Sequence, residues 1–247
     1  MGAGGFGPKI LFRITTPFFS AGEQVIIPVT ETVVNTWIIM AVLILFAYMA
    51  TRNLKKVPKG MQIVTEGLVG AINDLTKQTM GESRIGFAPY VGTILLFIGL
   101  ANIAGLFNVR PPTADINTTM GLALMTFVMI HYFGIKSKGF GVYMKGFLEP
   151  MPFLLPINVM GELATPISLS FRLFGNIIGG VIVMNLLYGA LYSLSGAVFG
   201  LVGLSAVVPV FQVIAAPLHV YFDLFAGLLQ SFIFAMLTMV FVSIAMD

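Results

Sequence analysis

The sequence predicts an all-α integral membrane protein, and three observations carry that prediction. Only 9% of the 247 residues are charged against 57% hydrophobic, whereas a soluble domain carries roughly 25% charged residues on its surface. The mean hydropathy is +0.97, too apolar for a chain that must face water. Apolar stretches of spanning length recur, and they are ended by clusters of Lys and Arg or by rigid proline breaks. The formal net charge of +3 is too small to argue for nucleic acid, so the basic residues read as topology signals. The absence of cysteine excludes disulfides and thiolate metal sites.

The opening MGAGGFGPKI has no charged-then-apolar leader pattern and reads as a short glycine-rich tail. Residues 1–31 are expected to be extracytoplasmic. The first span is expected over 32–50, since about 20 apolar residues cross a hydrocarbon core of roughly 30 Å. Glu23 and Glu31 precede it, and Arg52, Lys55, Lys56 and Lys59 follow it. Basic residues stay cytoplasmic, which puts the end of this span inside. Over 60–84, Ile63, Val64, Leu68, Ile72 and Leu75 recur at helical spacing, interrupted by Glu66, Asp74 and Lys77. That pattern predicts an amphipathic helix on the cytoplasmic face.

Residues 87–135 read as a helical hairpin. Its outer turn is the polar, proline-rich break at Arg110, Pro111, Pro112 and Asp115, and its open end carries Lys136, Lys138 and Lys145. Beyond it, 153–192 and 193–246 are apolar runs far longer than the ~20 residues of a perpendicular span. Each is either two spans or one long, steeply tilted helix. Pro166 lies inside the first run, and Pro209 and Pro217 would bend a helix in the second without ending it. The glycines from Gly189 to Gly203 make the best hairpin turn between the runs. No internal repeat is evident, which disfavours an inverted-repeat transporter.

Among acidic, basic and histidine side chains, residues 151–246 hold Glu162, Arg172, His219 and Asp223. A central Arg in a span costs at least about 2.5–3.5 kcal/mol, so it persists where it meets water, a partner or a moving charge. A buried ion pair is the plain structural alternative. Glu162 is ten residues away, roughly 15 Å along one helix, whereas Asp223 stays geometrically open. Asn176 shares the face of Arg172, and Ser168, Ser170, Gly175, Gly179 and Gly180 strip bulk from its surroundings. Small residues at membrane depth let another helix approach. His219, Asp223, Gly227 and Gln230 follow at spacings of four, four and three, a polar stripe that reads as the wall of an aqueous path. His131 and His219 are far apart in the chain. No metal-ligand cluster, phosphate loop or nucleophile–base arrangement points to a cofactor or to catalysis by this chain alone.

The stretch PISLSFRLFGNIIGG resembles the signature of subunit a of the bacterial F-type ATP synthase. The resemblance extends to ATRNLKKVPKGMQ, PTAD, HYFGIKSKG and LLQSFIFAMLTMV. It implies about five transmembrane helices plus the cytoplasmic amphipathic helix in a single membrane domain, with the last two helices long and steeply tilted against a rotating ring of c subunits. It further implies a multi-pass protein of the bacterial cytoplasmic (inner) membrane, with an outer N-terminus and a cytoplasmic C-terminus. Its partners would be the c-subunit ring, peripheral-stalk b subunits, other ATP synthase subunits and membrane lipid. Matched by motif, Arg172 is the essential arginine separating two half-channels that pass H⁺ or Na⁺. Asn176 and Gln230 match polar positions of the family, Asp223 the outer half-channel and Glu162 the cytoplasmic one. His219 has no firm counterpart. Some relatives carry an acidic residue or His nine positions after the arginine; here that position is Val181, which shifts the load to Asp223. The competing reading is a self-contained ion-coupled secondary transporter in which Arg172 binds a substrate carboxylate.

Overall fold

The computed structural model describes residues 9–16, 25–52, 54–107, 109–149, 151–201, 213 and 215–247. The glycine-rich tail, Pro209 and Gly203 fall outside these. The described chain is all-α apart from one hairpin, and five of its helices are long and apolar enough to cross a membrane. It is a multi-pass membrane protein.

The hairpin precedes the first span. Strands β1 (Ile10–Thr16) and β2 (Val25–Thr30) pair antiparallel. Their β-branched runs, ILFRITT and VIIPVT, favour extended backbone over helix. The N–H of Glu31 donates to the Lys9 carbonyl at 2.9 Å, so the hairpin sits directly on the first helix.

Helix α1 (Glu31–Thr51) leaves Trp37, Ile38, Ile44, Leu45 and Tyr48 exposed, as suits a helix facing lipid. Helix α2 (Met61–Met80) divides its apolar face. Ile72 and Met80 are buried, while Ile63, Val64 and Val69 stay uncovered. A 3₁₀ turn, Glu82–Phe87, leads into α3 (Ala88–Ile103). Helix α4 (Ile116–Lys138) returns, and α5 (Phe140–Gly146) follows it. Asp115 caps α4 by accepting from the N–H of Asn117 at 3.0 Å, and it also accepts from Oγ1 of Thr32 at 2.9 Å. The carbonyl of Arg110 accepts from Asn35 at 3.0 Å. The predicted polar break is therefore fastened to the start of α1.

The first long run is one helix, α6 (Leu155–Leu201), of 47 residues, and Pro166 lies within it. At 1.5 Å per residue that is roughly 70 Å, more than twice a hydrocarbon core of about 30 Å. Gly189 and Gly196 are helical, so the hairpin turn expected at Gly189–Gly203 does not begin before Leu201. Isolated glycines weaken a helix by only about 1 kcal/mol each, and lipid offers their backbone groups no alternative partner. The last span is assembled from α7 (Ala216–Val220), a π-helical turn (Tyr221–Ala226) and α8 (Gly227–Met246). Pro217 sits in the first turn of α7, where its missing N–H is harmless; it starts this helix and does not bend it.

Helices α3, α4, α6 and α8 form the core. One buried cluster joins Val91, Ile130, Ala235, Met239 and Val242, and a second joins Ile98, Ala123, Leu173 and Phe234. Hydroxyl pairs stitch the seams: Thr119 to Ser170 and Thr126 to Thr238, each at 3.1 Å. Such bonds contribute about 0.6 kcal/mol each in membrane proteins.

At the basic end of the bundle, Arg84 donates to Oγ of Ser243 at 2.7 Å and to the Asp247 carboxylate. That hydrogen bond, with the nearby charges of Arg84 and Lys138, holds the Asp247 carboxyl below its ordinary range. A carboxylate lowered in this way strengthens the clamp above the unfolded pKa, and the contribution is lost as pH falls through the lower native value. Asp247→Asn is therefore expected to raise amide exchange at 243–247 near neutral pH. In the wild type, the same increase should occur only on acidification below the usual carboxylate range. Hydrogen–deuterium exchange of the membrane-reconstituted protein against pH measures both.

Candidate functional site

The polar residues of the last span are not spread along a regular helix. His219 closes α7, Asp223 lies in the π turn, and Gly227 and Gln230 open α8. A π turn shifts the backbone bonding from i→i+4 to i→i+5 and is found most often at functional sites. Carbonyls disturbed by such a turn need partners from neighbouring helices. Two asparagines supply them. Nδ2 of Asn176 on α6 donates to the Ala226 carbonyl at 3.3 Å, and Nδ2 of Asn102 on α3 donates to the Gly227 carbonyl at 2.8 Å. Consecutive carbonyls at the end of the turn are thus held from two sides. Thr113 completes the arrangement by donating to Oδ1 of Asn102 at 2.6 Å.

This clamp requires close approach of α3 to the last span. A Cβ on Gly227 would stand 2.9 Å from Cβ of Asn102, and one on Gly105 would stand 3.0 Å from Oδ2 of Asp223. A Cβ on Gly99 would meet Leu228 and Ser231 at 3.6 Å. Gly99, Asn102 and Gly105, three residues apart, therefore face Ser231, Gly227 and Asp223 in antiparallel order. Asp223 and Gly227 of the predicted stripe thus pack against α3 and the 3₁₀ turn Ala104–Phe107 that follows it. Within it, Nε2 of His219 lies 3.0 Å from Oδ2 of Asp223, and the ring of Tyr188 on α6 is 6.0 Å from that of His219. Gln230 is buried, and its Nε2 has no bond within the described residues.

Arg172 is different. It is exposed on α6, and no hydrogen bond or ion pair is formed by its side chain among the described residues. The plain alternative of an ion pair with Glu162 or Asp223 does not occur: Asp223 faces His219. Arg172 lines a shallow cavity of about 200 Å³ with Gly161, Thr165, Ser168, Leu169 and Phe241. Gly161, Gly175 and Gly179 have open space where a Cβ would go. With Ala164, Ser168 and Arg172 they fall at spacings of three or four, one stripe of small side chains with the guanidinium at its middle.

Glu162 lies a few turns before Arg172 on α6, half-exposed and near the buried phenol of Tyr143. Burial pushes the Tyr143 phenol up, and the negative charge of Glu162 adds to the shift. The Tyr143 hydroxyl is 2.6 Å from Nδ1 of His131, so His131 belongs to this group and is remote from His219. Among the described residues no cluster of His, Cys, Asp or Glu could hold a metal ion. Sequence reasoning missed Asn102, Gly105, Thr113 and Tyr188. The available signal was the lone Asn of an otherwise apolar span, flanked at three residues by Gly99 and Gly105.

The fold and the site define an all-α multi-pass membrane protein with a polar seam inside the bundle and an unpaired arginine on a helix of 47 residues. Residues 33–243 match the family described as ATP synthase A chain, and the chain belongs to that family. It is 38% identical to "ATP synthase subunit a, sodium ion specific" of Propionigenium modestum, over 96% of this chain and 84% of that protein. It is 38% identical to "ATP synthase subunit a 2" of Pelobacter propionicus, over 94% and 92%, and 39% identical to "ATP synthase subunit a" of Moorella thermoacetica, over 66% and 75%.

Asn102→Leu removes the donor to Gly227 and strands the buried Thr113 hydroxyl, a loss of about 1–3 kcal/mol. Gly227→Val adds the clash with Cβ of Asn102. Each variant is expected to lower the thermal midpoint of the purified protein, and the double variant should lose less than the sum because the two act on one contact.

Proposed function

We propose that this chain is the stationary ion-conducting subunit of a rotary ATP synthase. It provides two offset half-channels that pass H⁺ or Na⁺ to and from carboxylates on a ring of c subunits. The single observation that carries the reading is Arg172: an exposed, unpaired guanidinium at the centre of an open small-residue stripe. A stripe of that kind leaves room for a second helix, and a cation without a partner in its own chain calls for an anion from another.

In this reading a ring carboxylate takes up an ion in one half-channel and can then face lipid at little electrostatic cost. After nearly a full rotation it meets the other half-channel and ionises, favoured by the positive charge of Arg172. Arginine suits this position because it stays protonated and cannot relay a proton between the channels. Asp223, hydrogen-bonded by His219 and held by the asparagine clamp, is the ion-handling group of the outer path, which runs along the α3 seam past Gln230. Glu162 serves the cytoplasmic path, and Asn176 links the two sides by bonding the π turn from the arginine's own helix. Charge crossing the membrane supplies about 2.3 kcal/mol per elementary charge per 100 mV. The chain does no chemistry on ATP itself and needs no cofactor. Its partners are the c ring, the b subunits of the peripheral stalk and the remaining ATP synthase subunits. The basic ends of the spans face the cytoplasm of a bacterial inner membrane, with the N-terminus outside and the C-terminus inside.

Arg172→Ala is expected to abolish ATP-driven ion pumping in inverted vesicles while the complex still assembles with its ring. Coupled pumping at the wild-type rate would sink the reading. Asp223→Asn should slow pumping by tenfold or more, a barrier increase of at least about 1.4 kcal/mol, with assembly likewise intact.

A further inference from the structure

A second cavity lies away from the polar seam and from Arg172. It is a cleft of about 720 Å³ at the basic end of the bundle, where α3 begins and α4 and α8 end. Its walls are apolar and soft, formed by Phe87, Met129, Phe133 and Met246, and its rim carries Arg84 and Lys136. Phe87 and Phe133 meet edge to face at 4.7 Å.

The charges around this mouth do not cancel. Arg84 is bonded to Asp247. Lys138 lies close enough to act on the same carboxylate. Lys136 has no carboxylate partner among the described residues; its Nζ rests 5.9 Å above the ring of Tyr132. Glu82 is matched by Lys77 at 3.7 Å. Three cations, Arg84 and Lys136 on the rim and Lys138 beside it, thus share the one side-chain carboxylate of Asp247.

We propose that this cleft is a binding site for one anionic glycerophospholipid, its phosphate held by Lys136 and Arg84 and an acyl chain laid along Phe87, Met129 and Phe133. Basic pockets between transmembrane helices recognise anionic headgroups in this way, each surface cation contributing about 1 kcal/mol. A soluble anion would use the rim and leave the aromatic wall without purpose. A zwitterionic lipid would carry its own ammonium group to the excess positive charge. The inference stands apart from the half-channel reading, since it uses neither Arg172 nor Asp223.

The test uses the assembled membrane complex in nanodiscs with photoactivatable phosphatidylglycerol or phosphatidylcholine bearing identical acyl chains. The expected result is labelling by phosphatidylglycerol of peptides containing Phe87, Met129 and Phe133, well above that by phosphatidylcholine. Lys136→Gln should reduce the phosphatidylglycerol labelling about fivefold, the loss of one surface cation, and Lys136→Arg should retain it. Equal labelling by the two lipids overturns the proposal, as does labelling unchanged in Lys136→Gln. So does displacement of the probe by soluble glycerol phosphate, or a cleft left unlabelled because a helix of another subunit covers it.

Discussion

The bonds from Asn176 and Asn102 to the carbonyls of Ala226 and Gly227 are the interaction on which the arrangement of this bundle depends. Inside a bilayer no water is available to satisfy a backbone carbonyl, so an irregular turn survives only where protein groups complete it. Here the completing groups come from two other helices, α3 and α6. The same two bonds therefore allow the π turn, place Asp223 against Gly105, and fix how closely the three helices approach. The clamp is cooperative in that sense. Removing the π turn would rotate Asp223 and His219 relative to Gln230, and removing either asparagine would leave the turn half-satisfied.

Close approach has its own requirement, and glycine meets it at three positions along the seam. Gly99 opens α3, Gly105 the 3₁₀ turn after it, and Gly227 opens α8 to the body of Asn102. On α6, Gly161, Gly175 and Gly179 open a face in the same way, and no described residue fills it. One set of glycines is used within the subunit and the other is left unused. The same physical rule, that small residues let helices meet at membrane depth, applies to both faces, and under the proposed function the open one receives a helix of the ring.

Much of this was legible from composition and period. The all-α class, the five apolar spans and the polar turn before Asp115 follow from apolar runs and their charged ends, because lipid leaves a chain few structural options. The β-hairpin of Ile10–Thr16 and Val25–Thr30 is hidden in the sequence because the glycines of the N-terminal segment mask the β-branched residues that follow them. The turn expected at Gly189–Gly203 does not begin before Leu201, because glycine breaks a helix readily in water and weakly where helix is the only satisfied backbone. The π turn left no mark in the sequence, since YFDLFA has no residue that favours i→i+5 bonding over i→i+4. Asn102 could have been found: an amide in the middle of ILLFIGLANIAGLF must have a partner, and only its identity needed the fold.

The contrast between Asp223 and Arg172 is the last step that the packing permits. Asp223 has His219 beside it, the α3 backbone over it and a braced turn beneath it, so its charge or its proton is provided for within the chain. Arg172 has none of these, although it sits on the helix that braces the same turn through Asn176, one helical turn away. A guanidinium held at membrane depth without an internal anion is costly at every moment that it stays bare. The cost is lowest when a carboxylate from outside arrives against the glycine stripe and departs again. An internal ion pair would have been more stable and useless for that purpose, because a satisfied arginine has no reason to attract a passing charge. Under the proposed function, the stability forgone at Arg172 is the driving term for deprotonating the ring carboxylate. The rigidity gathered at the π turn keeps the acceptor path from drifting while that exchange takes place.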